Sequence, residues 1–152
     1  MVVLAVPFEA VAPILEEQRP AFAPQTLVVD VTVPLSFESG KATLRDLSEG
    51  SAAEFIRARL PDHVGLAVAF KTVPADLLDQ VARSLDCDEF VCGDSAETRA
   101  EALSLVDAIQ GLRGIDVGPL TRARSIEHLT LMAIGINRRH KIHDARFRIV
   151  GL

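Results

Sequence analysis

Residues 2–33 read VVLAVPFEAVAPILEEQRPAFAPQTLVVDVTV, and this stretch decides the fold. Its first five residues are an apolar run rich in β-branched side chains, which predicts a strand buried on both faces, as in a parallel sheet. Pro7 then opens a segment, about residues 8–18, with apolar residues at helical spacing, and two prolines end it. Residues 27–33 are a second strand of the buried type. Together they predict a β-α-β unit with a right-handed crossover.

The same alternation continues to the end of the chain. Residues 34–50 are the least periodic stretch and are predicted to form a loop over the carboxyl end of the sheet, where open α/β sheets bind ligands. Ser51 with Glu54, and Asp94 with Glu97, have capping-box spacing and mark helix starts. Further strands are predicted at residues 64–70, 89–92 and 114–117, with a final edge strand through Ala145, Phe147 and Ile149, and further helices at residues 51–60, 75–85, 95–110 and 121–139. The pattern predicts a three-layer α/β domain with a mainly parallel sheet.

The composition is that of one soluble globular domain. The 152 residues are 49% apolar and 24% charged, which excludes disordered and fibrous proteins. No uncharged apolar run approaches the roughly 18 residues that a membrane-spanning helix needs, so we do not expect a membrane protein. The start of the chain resembles a signal peptide only faintly, because it lacks a basic first segment. Two cysteines are too few for a secreted disulfide framework, so we expect a reducing cytoplasm.

The charge is unevenly distributed along the chain. The net charge of −5 argues against nucleic acid as the main partner, yet residues 121–152 carry seven basic and two acidic side chains. A helix C-terminus explains some of these cations through its dipole. The rest leave open a contact with phosphate, with a polycarboxylate or with an acidic patch on a second subunit. The densest cluster contains Arg138, Arg139, Lys141, His143, Arg146 and Arg148, while Arg122 and Arg124 begin the same helix, where either a salt bridge or an anion site would explain them.

Polar residues follow two of the predicted strands. Lys71 and Thr72 come directly after a buried strand and precede Pro74 at the start of a helix, and residues 31–34, Val-Thr-Val-Pro, end another strand in the same way. A flat ligand could pack against these loops. The alternative is an ordinary strand-to-helix loop with a surface lysine.

The motifs of common enzyme sites do not occur. The nine glycines contain neither Gly-x-Gly-x-x-Gly nor a Walker-type Gly-Lys-Ser/Thr. We find no nucleophile elbow and no carboxylate pair in a shared strand-end loop, so acid–base hydrolysis has no support. Cys87 and Cys92 are predicted to point to opposite faces of a strand rather than to form a redox pair. His63 and His128 lack a second ligand at metal spacing.

Several short pieces of the sequence gain meaning from their order, which extends over nearly the whole chain. They are Val3-Leu-Ala-Val-Pro7, Lys71-Thr-Val-Pro-Ala75, Phe90-Val-Cys-Gly-Asp94, Asp116-Val-Gly-Pro-Leu120 with Ala123-Arg124 and Glu127, and Ile134-Gly-Ile-Asn-Arg-Arg139 with Gly151-Leu152. The ordered set resembles the NADPH-dependent reductases of the deazaflavin coenzyme F420. The resemblance covers only the portion after that family's third strand, because the glycine-rich loop and the basic residues for the 2′-phosphate of NADP have no counterpart here.

The resemblance implies a fold in two parts. Residues 1–118 would be an incomplete Rossmann-like, NADP-binding domain, and residues 119–152 a C-terminal helix and edge strand that contribute to the cofactor pocket and to a dimer. The implied reaction is hydride transfer between NADP and coenzyme F420, in which both reacting carbons belong to cofactors and the protein holds the two rings face to face.

The resemblance also implies the site residues. Pro7 and Phe8 would lie along the nicotinamide nucleotide, and Thr32, Val33 and Pro34 near the stacked rings. The deazaflavin side would be formed by Lys71, Thr72, Val73, Pro74 and Ala75, although the family more often has a different residue in place of Lys71.

Two functions of different class are consistent with these residues. In the first, the chain is the C-terminal part of a reductase and is an enzyme only with a partner subunit or segment that supplies the glycine-rich half. In the second, it is a stand-alone deazaflavin-binding or dimerisation module that has lost NADP binding.

Overall fold

The computed structural model describes all residues from 1 to 152, and their first third forms the predicted β-α-β unit. Strand β1 is Val2–Leu4, helix α1 is Phe8–Gln18 and strand β2 is Leu27–Asp30, and the two strands pair in parallel. The prediction that β1 is buried on both faces is wrong. β1 is the outer strand of the sheet, so Val2 and Val3 stay 41% and 46% exposed.

Residues 34–50 contain a hairpin rather than only a loop, which corrects the prediction. Strand β3 is Leu35–Glu38 and strand β4 is Lys41–Leu44, and they pair antiparallel. Ser39 and Gly40, at the turn, both have positive φ, of 49° and 73°. Two consecutive positive φ values are typical of the tight turns that match the twist of a hairpin. A Ser-Gly turn between two short strands gives only a weak periodic signal.

The remaining elements follow the predicted order. They are helix α2 (Ala52–Arg57), strand β5 (Gly65–Val68), helix α3 (Ala75–Leu78), strand β6 (Cys87–Gly93), helix α4 (Ala96–Asp107), strand β7 (Leu112–Pro119) and helix α5 (Ala123–His140). The five-stranded sheet has the order β1-β2-β5-β6-β7, and only the β5–β6 pair is antiparallel. The mainly parallel α/β sheet is therefore confirmed.

Two helix predictions need correction. Helix α3 has four residues instead of the eleven in residues 75–85, because Val81, its next apolar residue, is 91% exposed and has nothing to pack on. The cap of α4 is Ser95 with Thr98 rather than Asp94 with Glu97, since each side chain bonds the other's backbone N–H. Asp94 instead accepts the Leu66 N–H at 2.9 Å.

The predicted edge strand through Ala145, Phe147 and Ile149 does not form. Phe147 makes a single bridge, in which its carbonyl accepts the Asp88 N–H at 2.8 Å. The next main-chain donor, Ile149 N–H, bonds the Asp88 carboxylate at 2.5 Å, so the side chain replaces the second rung of a ladder. Arg113 holds the same carboxylate through two bonds of 2.8 Å.

The helices lie on both faces of the sheet and enclose two cores. Helices α1, α2 and α5 cover one face, where Leu15, Ile56 and Ile126 are buried. Helices α3 and α4 cover the other face, where Leu77 and Val106 are buried. The result is the predicted three-layer arrangement.

The two cysteines lie in different cores, as predicted. Cys87 belongs to the α3–α4 side and Cys92 to the α1–α2–α5 side, and both thiols are free and buried. Burial raises the pKa of Cys87, and it raises the pKa of Cys92 to about 12. None of the helices combines the length and the apolar composition needed to cross a membrane.

Candidate functional site

The loops that carry the predicted site residues meet at one edge of the sheet. Strands β1, β2 and β5 are parallel neighbours, so the segments that follow them leave the sheet at the same edge. The predicted site residues in these segments begin at Pro7, Thr32 and Lys71, respectively. In open α/β sheets this carboxyl edge is where ligands bind. The structure thus places the three groups of predicted residues on one side of the molecule.

Lys71 ties two of these loops together inside the protein. Its side chain is fully buried, and Nζ donates to Asp30 Oδ2 at 2.7 Å and to the carbonyl of Thr32. Asp30 also accepts the backbone N–H of Thr32 at 2.8 Å and its hydroxyl at 2.7 Å. The alternative of a surface lysine is therefore wrong. A buried lysine needs such partners because an unpaired interior charge is strongly unfavourable.

Glu89, on strand β6, is hydrogen-bonded to the loop that follows β5. Its carboxylate accepts the N–H groups of Lys71 at 3.1 Å and Thr72 at 3.2 Å, and the Thr72 hydroxyl at 2.7 Å. Burial raises the pKa of Glu89 to about 7, although all three donors act to lower it. The carbonyl of Lys71 is fixed as well, because Thr130 of α5 donates to it at 2.8 Å.

Glu127 completes the buried charges. One of its oxygens accepts the Ala52 N–H at 2.9 Å and lies 3.8 Å from Lys71 Nζ. The other oxygen lies 3.5 Å from Arg124 but has no hydrogen-bond partner. Burial raises the pKa of Glu127, and the Lys71 cation opposes that rise. Through this residue, α5 and the start of α2 are joined to the strand-end loops.

What the site presents outward is apolar. The side chains of Lys71 and Thr72 turn inward, Thr32 and Pro34 are buried, and Phe8 packs on Phe55 with 5.1 Å between ring centroids. Of the predicted site residues, Pro7 and Ala75 are exposed, and Phe8, Val33 and Pro74 are half-buried. Such a surface can hold a flat ring but supplies no acid, base or nucleophile. No group of three or more His, Cys, Asp or Glu side chains is arranged to hold a metal ion.

A cavity of about 710 Å³ opens next to these loops, on the face of α3 and α4. Val31, Phe70, Val73 and Ala75 line it at the strand ends. It continues past Val3 and Ala5 of the β1 segment and past Leu105, Ala108 and Ile109 near the end of α4. Of its sixteen lining residues only Gln80, Arg83 and Gln110 are polar.

The C-terminal cations are used in different ways. Arg146 and Arg148 form ion pairs with Asp144 and Asp86, at 3.0 and 2.9 Å. Arg138 donates to the carbonyl of Gly40 in the hairpin turn. At the other end of α5, Arg124 lies 3.5 Å from Asp46 and from Glu127, so the salt-bridge alternative explains it.

Sequence reasoning missed Asp30, Glu89 and Glu127 as parts of this site. Each is fully buried, and none of them was among the predicted site residues. A signal did exist for two of them, because Asp30 interrupts Leu27-Val-Val-Asp-Val and Glu89 precedes Phe90-Val-Cys. A charge within an apolar strand indicates a buried partner.

Comparison with known proteins was made by sequence and by structure. The F420-dependent NADP reductase of Methanothermobacter thermautotrophicus is 36% identical over 100% of this chain and 66% of its own length. Those of Methanothermobacter marburgensis and Methanocaldococcus jannaschii are 34% and 30% identical, each over 68% of its own length. The chain therefore spans about two thirds of the length of these curated relatives.

A solved structure agrees with these relatives. The crystal structure of a candidate F420-dependent NADP reductase from Arthrobacter sp. FB24 superposes with a TM-score of 0.85 and 26% identity. It covers 99% of this chain, and this chain covers 69% of it. No family model matches the sequence.

Proposed function

The chain belongs to the family of F420-dependent NADP reductases, and from this premise we propose that it takes part in hydride transfer between NADP and the deazaflavin coenzyme F420. We propose that it acts as the C-terminal part of such an oxidoreductase, completed by a glycine-rich nucleotide-binding half from outside residues 1–152. The relatives support this, because they match the chain from end to end and extend beyond it by about a third of their length.

The position of Lys71 is the observation that carries the proposal. It joins the loops after β2 and β5 through Asp30 and Thr32, and so fixes the loop that contains Val33 relative to the loop that contains Val73 and Ala75. The charges of the loops are turned inward and the outer surface is apolar, which fits the face of a flat deazaflavin ring. Val33, Pro74 and Ala75 are the residues that would contact it.

The residues present do not fit NADP equally well. The pyrophosphate of a dinucleotide is normally held by a glycine-rich loop at a helix N-terminus, and this sequence contains none. Helix α1, which follows β1, instead begins at Phe8 after Pro7, without a glycine. We therefore assign to this chain the deazaflavin side and, at Pro7, only the border of the nicotinamide position.

The proposed reaction requires the protein to position the two cofactors rather than to supply an acid or a base. A hydride transfer of this kind takes place between carbons that both belong to the cofactors. The loops after β1, β2 and β5 would hold a ring at a fixed height above the sheet and keep water from one of its faces. Holding the reacting carbons in a near-attack geometry lowers the barrier to the transfer.

Fluorescence titration with coenzyme F420 tests the proposal. We expect saturable binding to the unmodified chain and about tenfold weaker binding to Ala75→Arg, whose side chain would occupy the ring surface. Val150→Arg is the matched control, because Val150 is 92% exposed in the C-terminal tail, and it should bind like the parent chain. Absence of binding by the parent chain, or equal binding by Ala75→Arg, would contradict the proposal.

The second function is a deazaflavin-binding or dimerisation module without NADP turnover. The unpaired edge of β1 and the missing glycine-rich loop are the features that favour it. A hydride-transfer assay on the chain combined with the unmatched third of a relative separates the two. Oxidation of NADPH coupled to reduction of F420 would support the reductase function. Binding of F420 without turnover would support the function as a binding or dimerisation module.

We propose a cytoplasmic protein in which residues 119–152 contribute a dimer contact. Met132 and Ile136, one turn apart on α5, are 49% and 37% exposed and support such a contact. We expect no nucleic-acid or membrane partner.

A further inference from the structure

We propose that Glu89 is a positioning residue for the deazaflavin ring: its ionised carboxylate fills an anion-binding concavity of the loop after β5 and holds that loop in the shape that binds the ring. Glu89 does not itself touch the coenzyme. It acts through Lys71 and Thr72, whose backbone leads to Pro74 and Ala75 at the ring surface. This role rests on the proposed function, since it concerns the loop that we assign to the deazaflavin side.

The loop after β5 directs three hydrogen-bond donors to one point. The N–H groups of two consecutive residues, Lys71 and Thr72, and the Thr72 hydroxyl donate to Glu89 at 3.1, 3.2 and 2.7 Å, respectively. Consecutive backbone N–H groups that converge in a turn form a concavity that binds anions. Glu89 is fully buried, so the concavity takes its anion from the protein itself.

The turn that forms this concavity has a strained backbone. Phe70, which lies between β5 and Lys71, has a φ of 59°, in the left-handed region that a bulky residue rarely adopts. Such a conformation persists only where the surrounding contacts hold it, and it is typical of ligand sites. Since the bonds to Glu89 begin at the next residue, they help to keep this turn in place.

Glu89 differs from the other buried carboxylates in having no cation beside it. Each of the others lies 2.7 to 3.5 Å from a lysine or arginine nitrogen; they are Asp30, Asp88 and Glu127. No such nitrogen lies within 4.0 Å of the Glu89 carboxylate. Glu89 therefore has only neutral donors in contact, and burial raises its pKa to about 7. The charge that holds the loop can thus be removed near neutral pH.

Few other ionisable groups face Glu89. The Lys71 cation, in the loop after β5, acts to lower its pKa, and Asp30 and Glu127 contact that cation in turn. On the same strand, the raised pKa of Cys87 keeps its thiol neutral, and Arg146 of the C-terminal tail acts on that thiol. The cross-strand partner on β7 and the buried side chains of α3 and α4 on this face carry no charge; they are Gly114, Leu77, Ala102 and Val106.

A proton on Glu89 would disturb the bonds to the loop. Each oxygen of the carboxylate already accepts from a donor, and a neutral carboxyl group must itself donate one hydrogen bond. Among its partners only the Thr72 hydroxyl can accept, and that hydroxyl would have to give up its own bond to do so. The protonated form therefore holds the loop less firmly and binds the ring more weakly.

Equilibrium dialysis of coenzyme F420 against the chain between pH 6 and 8 tests this role. The apparent dissociation constant varies inversely with the fraction of protein in the binding form, so binding at pH 6 should be about tenfold weaker than at pH 8. Glu89→Gln, a neutral side chain of similar size, should bind at pH 8 about as weakly as the parent chain binds at pH 6, and its affinity should change less with pH. Glu101→Gln, exposed on α4, is the matched control and should follow the parent chain. Any titration of the coenzyme itself affects all three proteins equally.

Hydrogen exchange at pH 8 measures the loop without the coenzyme. The amides of Lys71 and Thr72 should exchange about tenfold faster in Glu89→Gln than in the parent chain, because each loses its charged acceptor. The amides of the β6–β7 ladder should be unchanged, which would show that the variant keeps its fold.

The outcomes separate this role from the proposed function. Equal affinity of Glu89→Gln and the parent chain at pH 8, the same pH dependence in both, or unchanged exchange of the two amides would overturn the role of Glu89 alone. Absence of F420 binding by the parent chain at every pH would contradict the proposed function, while the exchange of the two amides would still decide whether Glu89 holds the loop.

Discussion

Lys71 illustrates how a single buried charge organises this site. Its ammonium group, at the end of β5, joins Asp30 and Thr32 at the end of β2 to Glu127 of α5. A pair of this kind adds little net stability relative to apolar residues, but the loss of one partner leaves the others charged and buried. Its main effect is to fix the relative position of the loops.

We expect Lys71→Met to lower the free energy of unfolding by about 3 to 5 kcal/mol, because Asp30 would remain as an unpaired interior carboxylate. Chemical denaturation measures this change. Adding Asp30→Asn to Lys71→Met should restore part of the loss, since the orphaned charge is then removed. Lys41→Met, at an exposed hairpin position, is the control. A Lys71→Met variant as stable as the control would contradict this account of the buried pair.

Glu89 should make stability depend on pH. Its pKa is about 7 in the folded protein and ordinarily 4.5, so between these values the folded state holds a proton that the unfolded state has lost. The free energy of unfolding therefore falls as pH rises from about 5 to 7, by on the order of 3 kcal/mol, and this contribution is constant above that range.

Denaturation at several pH values measures the slope. In Glu89→Gln the slope between about pH 5 and 7 should decrease, because residue 89 then exchanges no proton and Glu127, whose pKa burial also raises, still does. Glu38→Gln, exposed on the hairpin, should retain it. An unchanged slope in Glu89→Gln would show that another group is responsible.

The sequence was least informative about the burial and the partners of individual side chains. The strand-end position of Lys71 could be predicted from the apolar run before it. Its burial could not, because the partner carboxylates are far away in sequence and meet only through the sheet. Asp30 is 41 residues from Lys71.

Among the helices and strands, those whose ends are set by nearby residues could be predicted from the sequence. Helix α1 matches the predicted residues 8–18, because prolines and apolar spacing define both of its ends. The single bridge at Phe147 and the short α3 were mispredicted, because both depend on distant contacts. An edge strand requires its N–H groups to bond the main chain of β6, and the Ile149 N–H bonds the Asp88 side chain instead.

The N-cap of α4 is a feature whose contribution can be measured. We expect Ser95→Ala to lower the free energy of unfolding by about 1 kcal/mol, because the Thr98 N–H loses its acceptor. Ser104→Ala lies in the same helix and is exposed, so it provides the matched control. Thermal unfolding of both variants gives the comparison, and equal loss in the two would argue against a specific role for the cap.

At the scale of the whole molecule, the sheet is asymmetric in both its edges and its faces. The mainly parallel pairing could be predicted from the alternation of segments, whereas the order of the strands in the sheet could not. The cavity could not, because it depends on how far α3 and α4 extend over the sheet. The three layers are complete over β5 and β6 and incomplete next to β1.

The missing glycine-rich loop leads to an expectation about NADPH binding. The isolated chain should show no measurable binding in calorimetric titration, because no backbone loop of this sequence can hold the pyrophosphate. F420 titrated into the same preparation is the positive control for a folded site. Micromolar affinity for NADPH would contradict the division of the two cofactors between two parts.

The isolated chain should also self-associate. The exposed apolar edge of β1 is a template for pairing with any available strand. Light scattering at increasing concentration should detect species larger than a monomer, and Val3→Lys should reduce them. A monodisperse monomer at high concentration would count against this expectation.

The two cysteines make the layered core observable without any added label. Cys87 and Cys92 lie on opposite sides of the sheet, and both thiols are shielded in the native state. An alkylating reagent can therefore modify each one only when its own side of the molecule opens. Pulsed alkylation followed by peptide mass spectrometry would time the opening of each layer separately. The protein thus carries one natural reporter for each half of its interior.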